Sequence, residues 1–415
     1  MEKQRDTKSH KESGLTGSKH KTAKMELNQA FFDQKGIDCI HFNGYKPCFP
    51  GVSCAGDCDR REPVGLNILI VNLDAMGDVL MTTAQLPAIR ETWPVARITW
   101  LTLANASPLL AHNPLVDRVM EWNDINRLII QMQYWDVVLN ADKSREACAF
   151  VASLDADDVR GFTLSDFGQI IPANPEAAYN FRMGIDDELK FRLNKRTGQS
   201  ILAETWDLPY GGAEYILELT DEEKEFCGRM RAEWGLNGRT VAGINTGCSE
   251  LFPNKKMTVD QHVKLIELLM RDKDTVILLL GGGETDRERN AEIMKRVHAP
   301  ERQVISTPTN EGLRRGICYE NLADVIITGD TFGMHLGIAL RKHVLVWFGL
   351  SCWEEIELYE RGTKYYPDGL ECAPCWKRIC PNNLECIDLV PVEAIAAAVL
   401  DYSNKNLRQQ TGDIA

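Results

Sequence analysis

Short continuous apolar runs alternate along this chain with longer stretches in which apolar residues recur every three or four positions. LNILIVNL (66–73) is the first such run. It is rich in β-branched residues and has the pattern of a strand buried on both faces. GDVLMTTAQLPAIRETW (77–93) follows with helical spacing, which places Val79, Thr83, Leu86 and Ile89 near one face. Further strands are predicted over 96–103, 135–141 and 157–162. Residues 163–237 break the rhythm: they hold helical pieces, a Gly-Gly turn at 211–212 and the charged stretch TDEEKEFCGRMRAEWGL, a linker region ending in a surface helix. A second alternation then begins. It predicts strands at 240–247, 275–283, 302–306, 324–330 and 343–349. Helices are predicted at 257–272, 284–297, 331–340 and 391–403, with Thr258 and Gln261 at capping-box spacing in the first of them.

Alternation of this kind builds parallel sheets covered by helices on both faces. The pattern therefore predicts an α/β protein with two doubly wound halves and a ligand cleft between them. A length of 415 residues agrees with two domains. The predicted parts are a basic tail (1–25), a cysteine-rich segment (26–62), a first domain with its linker (63–235), a second domain (236–402) and a short tail (403–415).

Composition narrows the class. The chain is 44% hydrophobic and 26% charged, as in water-soluble globular proteins. No apolar run approaches the roughly 20 residues of a membrane-spanning helix. The first 24 residues lack the apolar core and small-residue cleavage site of a secretory signal, so a cytoplasmic protein is expected. Their Lys, Ser, Thr and His content predicts disorder. Net charge is −13. The tail holds seven Lys/Arg against three Asp/Glu, so the remainder is more acidic still. An acidic body argues against nucleic-acid binding. The basic tail offers a peripheral contact with an anionic membrane face, although a solvated tail is the simpler reading.

Three turns carry candidate chemistry. Asn72-Leu73-Asp74-Ala75-Met76-Gly77-Asp78 leaves the carboxyl end of a strand and enters a helix, the place where open α/β sheets bind ligands. Gly77 admits a ligand to the backbone, with Met76 beside it. Asp78 is either a general base, which requires partial desolvation, or an ordinary first-turn acid favoured by the helix dipole. In INTGCSELFPNKKM (244–257), Lys255 and Lys256 stand just before a helix N-terminus that disfavours cations. An anionic ligand near Thr246 and Gly247 would resolve the conflict; two solvated lysines are the alternative. In ITGDTFGMHLGIAL (327–340), Asp330 or Thr331 can cap a helix whose open amides, near Gly333, suit a diphosphate; Thr331 and His335 share a face. A lone helical histidine is more often a satisfied core residue. GGGE (281–284) is a fourth, weaker turn.

In order and spacing these segments resemble the heptosyltransferases, inverting transferases of glycosyltransferase family 9 that build the inner core of lipopolysaccharide. The similarity runs over residues 66–400. It implies a GT-B fold, with an acceptor-side amino-terminal lobe and a nucleotide-sugar-binding carboxy-terminal lobe. The partners it implies are ADP-heptose and a glycan, lipid-linked or protein acceptor, at the inner face of the membrane, with no cofactor for the chemistry. By position, Asp78 matches the family's general base. Lys255 falls where the family's lysine precedes its Trp-Pro helix start, here replaced by Met257-Thr258, and Lys256 is its neighbour. Asp330, Thr331 and His335 match the Asp-Thr…His element near the donor, with Phe332-Gly333 where many members have Gly-Pro. Glu284 or Asp286 lies where the family places an acid on the ribose. Two rivals share the architecture: nucleotide-sugar epimerases, and a non-catalytic metal-binding protein that kept the fold.

Eight of the thirteen cysteines form two groups, Cys39, Cys48, Cys54 and Cys58 before the first domain, and Cys372, Cys375, Cys380 and Cys386 after the last predicted strand. Four sulfurs at short spacing suit tetrahedral zinc or iron in a structural role, and one heptosyltransferase subgroup carries cysteine-bound iron. Reduced thiols packed in loops, one shared site, or disulfides between groups are the alternatives. Cys148, Cys227, Cys248, Cys318 and Cys352 are scattered and read as small buried hydrophobes.

Overall fold

Each half of the chain condenses around a strand with no polar face. In the computed structural model, which describes residues 39–54, 58–73 and 75–412, the first apolar run becomes β1 (Asn67–Val71), buried from Ile68 onward. The basic tail 1–25 lies outside the described residues. Around β1 stand β2 (Arg97–Thr102), β3 (Arg118–Glu121), β4 (Tyr134–Asn140), β5 (Asp155–Leu164) and β6 (Ile170–Pro172), in the order β3-β2-β1-β4-β5-β6. β1 pairs parallel with β4, β2 with β3 and β4 with β5, while β6 runs antiparallel to β5. The second sheet holds β7 (Thr240–Asn245), β8 (Thr275–Leu280), β9 (Val304–Ser306), β10 (Val325–Gly329), β11 (His343–Trp347) and β12 (Gly362–Tyr365). Its order is β12-β11-β10-β7-β8-β9, parallel throughout. Strand order reverses between β1 and β4 and again between β7 and β10. Each reversal opens a crevice at the carboxyl ends of the strands, because neighbouring crossovers leave to opposite faces there.

The described residues fall into two compact units, one within 39–67 with 95–97 and the other within 68–94 with 98–412. Apart from Asn67 and Arg97 at strand starts, both sheets belong to the second unit. In the first unit an isolated bridge joins Cys39 to Pro63, with Ile40 N donating to Glu62 O at 2.9 Å.

The helix expected over 77–93 is three pieces: Met76–Thr82, a 3₁₀ turn at Thr83–Gln85, and Leu86–Thr92. Pro87 lacks an N–H to donate to the preceding turn, which breaks the ladder. Val79, Thr83, Leu86 and Ile89 are nonetheless all buried. The capping box of Thr258 and Gln261 forms at the head of the helix Val259–Leu269. The last helix runs from Val392 to Gly412, through the segment expected as a tail. Edge strands β3, β6 and β12 and the helix Leu313–Asn321 are absent from the sequence reading. That helix supplies the crossover from β9 to β10. Its polar sequence LRRGICYEN packs on the helix Asp221–Glu233 through a Phe226–Tyr319 edge contact (5.7 Å) and an Arg314–Glu223 ion pair. Among the described residues, no helix is long and apolar enough to cross a membrane.

Candidate active site

A cavity of about 950 Å³ lies between the two sheets, at the carboxyl ends of their strands. Met76, Gly77 and Asp78 line it from the first lobe, and Lys255, Asp330 and His335 from the second.

Asp78 occupies the third position of the helix Met76–Thr82, and its Oδ2 accepts from Ala75 N at 3.2 Å. The carboxylate is open to the water of the cavity but ringed by protein on all sides. This crowding raises its pKa above the usual 3.8. His335, the Ala75 amide and Lys255 oppose that rise, and Asp330 adds to it. The carboxylate is thus both reachable and a stronger base than a surface aspartate. Glycine is needed at position 77 for a steric reason: a Cβ there would stand 2.4 Å from His335 Cδ2. The helix from the second lobe is seated on that gap.

Lys255 Nζ reaches Asp330 Oδ2 at 2.7 Å, with both side chains mostly buried. Burial pushes Asp330 upward, but the charge and hydrogen bond of Lys255, together with Ser351 and His335, outweigh it and hold the carboxyl below its ordinary value. Trp347 Nε1 pins the Lys255 carbonyl at 3.0 Å. Lys256, by contrast, does not line the cavity, which separates the two adjacent lysines.

The helix Phe332–Ala339 starts at Thr331. Thr331 does not cap it with its side chain; the hydroxyl meets Thr328 Oγ1 at 3.1 Å instead. The first-turn amides therefore have no side-chain partner from the cap residue and sit at the cavity wall. Gly333 lines the cavity, and a Cβ there would stand 2.0 Å from Asn245 Nδ2. His335 is buried. Burial lowers its pKa, with Lys255 adding to that effect and Asp330 and Asp78 opposing it, so the ring is neutral at pH 7.

The remaining expected ligands divide. Gly247 and Asp286 line the cavity, and Asp286 Oδ2 accepts from Gly282 N at 2.9 Å. Glu284 points outward and pairs with Arg287, so Asp286 is the acid at the glycine turn. Thr246 is fully buried and bonded to Asn290 Oδ1 at 2.5 Å, outside the cavity; its side chain faces the opposite side of the chain from that of Asn245.

Every cysteine is a free thiol, and among the described residues no three His, Cys, Asp or Glu side chains gather into a ligand set. In the second group, Cys386 is pushed up to about 11 by burial and then by Cys380, Cys375 and Cys372, so the four sulfurs are neighbours. Two of them are engaged locally. Cys380 Sγ accepts from Asn382 N (3.3 Å) and Leu384 N (3.4 Å), and Cys386 Sγ lies against Gly349. What this loop brings to the cavity is Trp376. Lys255 Nζ stands 4.9 Å from the Trp376 ring centre and 5.5 Å from that of Phe252. Arg192 of the first lobe clasps the loop through Ala373 O (2.7 Å) and Glu371 O (2.6 Å).

Sequence reasoning missed Trp376, Tyr215, Glu320 and Glu355. None has a spacing or motif that signals it; each enters by long-range packing. Glu320 lines the cavity, is 3% exposed, and burial holds its pKa well above 4.5. Between the unfolded and folded pKa the unfolded chain ionises while the native one stays protonated, so stability falls as pH rises. Glu320→Gln, which cannot ionise, is expected to gain melting temperature relative to the parent at pH 8 and to show little gain at pH 4. Parallel melting curves at both pH values check this.

Two doubly wound lobes facing one cavity at their strand ends define the GT-B class of nucleotide-sugar transferases. The chain belongs to glycosyltransferase family 9 (heptosyltransferase), which it matches over residues 127–385. No curated protein matches it. Among solved structures it is similar to the glycosyl transferase family 9 protein of Veillonella parvula DSM 2008 (TM-score 0.65, 17% identity, 84% of this chain and 99% of that one). It is also similar to E. coli ADP-heptose lps heptosyltransferase II (0.57, 17%, 83% and 100%) and E. coli heptosyltransferase WaaC with ADP (0.50, 16%, 69% and 88%). At these identities the likeness establishes the fold.

Proposed function

We propose that the protein transfers a sugar, a heptose from an ADP-activated donor, to a hydroxyl of a glycan or lipid-linked acceptor, inverting the anomeric centre. The observation that carries this reading is the opposition, across one cavity, of a carboxylate with raised pKa on the first lobe and a lysine with a helix N-terminus on the second. The acceptor O–H passes its proton to Asp78 as the oxygen attacks the anomeric carbon. The bond from that carbon to the diphosphate oxygen breaks, and the diphosphate leaves with the electron pair. Lys255 and the amides at Phe332 and Gly333 receive that charge. Asp330 holds Lys255 in place before the donor arrives, and Asp286 is placed for the ribose. The choice of ADP and heptose is supported by relatives of the same fold, one described as an ADP-heptose heptosyltransferase and another solved with ADP-2-deoxy-2-fluoro heptose. A lipid-linked acceptor would bring the protein to a membrane face.

Calorimetry with ADP, UDP and GDP tests the donor. Selective ADP binding supports the reading; preference for UDP or GDP removes heptose, and binding of none removes the transferase. Incubation with a nucleotide sugar and no acceptor separates an epimerase, which alone would change the sugar. Trp376→Leu is expected to weaken ADP binding by about tenfold, within the range of a partly buried cation–π contact, because Lys255 loses its aromatic support. Unchanged affinity would show that Asp330 alone positions the lysine.

A further inference from the structure

We propose that Tyr215, from the segment joining the two lobes, is a positioning residue that fixes the tautomer of His335 and so presents an Nε2–H to the end of the helix that carries Asp78. Tyr215 is 4% exposed, and its hydroxyl lies 3.4 Å from His335 Nδ1, the two rings nearly parallel at 14°. Its segment is pinned to the first lobe, where Ile216 N donates to Thr83 Oγ1 at 2.8 Å. Tyr359 packs edge-on behind it, but the Tyr359 hydroxyl is committed elsewhere: it donates to Ala213 O (2.9 Å) and accepts from Gln199 Nε2 (3.1 Å). His335 Nδ1 is therefore the acceptor offered to the Tyr215 O–H.

The opposite edge of the imidazole faces the Asp78 helix. A Cβ on Gly77 would stand 2.9 Å from Nε2 and 2.4 Å from Cδ2. Burial keeps the Tyr215 phenol protonated, and Nδ1 is the partner within reach of its O–H. If Nδ1 accepts, the single ring proton of the neutral imidazole is on Nε2. Protonating Nδ1 as well would orphan the buried phenol hydrogen. This opposes the pull of the two carboxylates that face the ring, Asp78 from the first lobe and Asp330 from the loop before the histidine's own helix. Lys255 opposes protonation from the remaining side, and Tyr359 contributes only a neutral edge. The result is a neutral ring that donates towards Asp78 and does not compete with it for the acceptor's proton.

Without the phenol hydroxyl, Nδ1 is free to take a proton and an imidazolium forms beside Asp78. A cation there lowers the carboxyl's pKa and weakens it as a base. That consequence rests on the proposed role of Asp78, but the tautomer does not, and the test reads the tautomer directly. Full-length protein labelled with ¹⁵N-histidine is compared with Tyr215→Phe and Tyr359→Phe, the His335 signals being assigned by their loss in His335→Gln. The parent is expected to show an unprotonated Nδ1, a protonated Nε2 and a titration midpoint below that of an ordinary histidine. Tyr215→Phe is expected to raise the titration midpoint by at least about one pH unit, whereas Tyr359→Phe leaves the signals in place. A parent protein with its proton on Nδ1 overturns the inference whether or not the variant folds; so does an unchanged titration in Tyr215→Phe. If the tautomer is as stated but Asp78→Asn still transfers sugar, the functional reading fails and the tautomer lock stands.

Discussion

Asp78→Asn is expected to lower sugar transfer by about 10²- to 10⁴-fold while leaving ADP affinity within about twofold. Asparagine keeps the shape and the contact with the Ala75 amide but cannot accept the acceptor's proton. The groups proposed to bind ADP are on the other lobe, at Lys255, Asp286 and the helix from Phe332, so ground-state donor binding has little reason to change. The pH profile should change too. A base must be ionised to act, so the rate of the parent rises with pH through a pKa displaced above 3.8 by the crowding of the cavity. That acid limb should vanish in the variant. Single-turnover transfer measured between pH 4 and 8 checks both points, and near-parental rates would remove Asp78 from the chemistry.

Lys255→Ala is the second large effect. Loss of the cation is expected to weaken ADP binding and to slow transfer by about 10²- to 10³-fold, the scale of removing one preorganised group from a developing anion. The structure adds a condition. Asp330 is held below its ordinary pKa chiefly by Lys255; with the lysine gone, the upward push of burial is less opposed, and any charge left on Asp330 repels the diphosphate. Lys255→Ala combined with Asp330→Asn should therefore bind ADP more tightly than Lys255→Ala alone. Calorimetry of the parent, both single variants and the double variant gives the coupling directly. Additive losses would show that the pair seen at 2.7 Å has no part in donor binding. Lys255→Arg should rescue poorly, because a planar guanidinium does not occupy the space of a compact ammonium facing Phe252 and Trp376.

Much of the architecture was legible in one dimension. The apolar runs at β1, β7, β8, β10 and β11 have no polar face, and only a sheet covered on both sides can bury such runs. The switch points follow, and with them the turns at Asp78, at Lys255 and at Asp330. The edge strands β3, β6 and β12 and the crossover helix Leu313–Asn321 were not legible, because such edge positions and amphipathic crossovers are half polar and their signal sinks into that of loops. The cysteine groups were legible as candidate ligands, whereas their surroundings were not: Cys380 and Cys386 meet local backbone and Gly349, and the loop contributes a tryptophan to the cavity.

The division has a physical cause. By itself the sequence determined what local forces decide: where strands and helices begin, which faces are apolar, and which charged side chains open a helix at the end of a strand. Only the tertiary structure decided how those side chains meet. Lys255 rather than Lys256, and Asp286 rather than Glu284, face the cavity because a difference of one or two residues turns a side chain to the other side of its turn. Tyr215, Trp376 and Glu320 enter the site from segments far away in sequence, placed there by the packing of two lobes. The raised pKa of Asp78 has the same origin: a first-turn acid is ordinary until a second lobe closes over it.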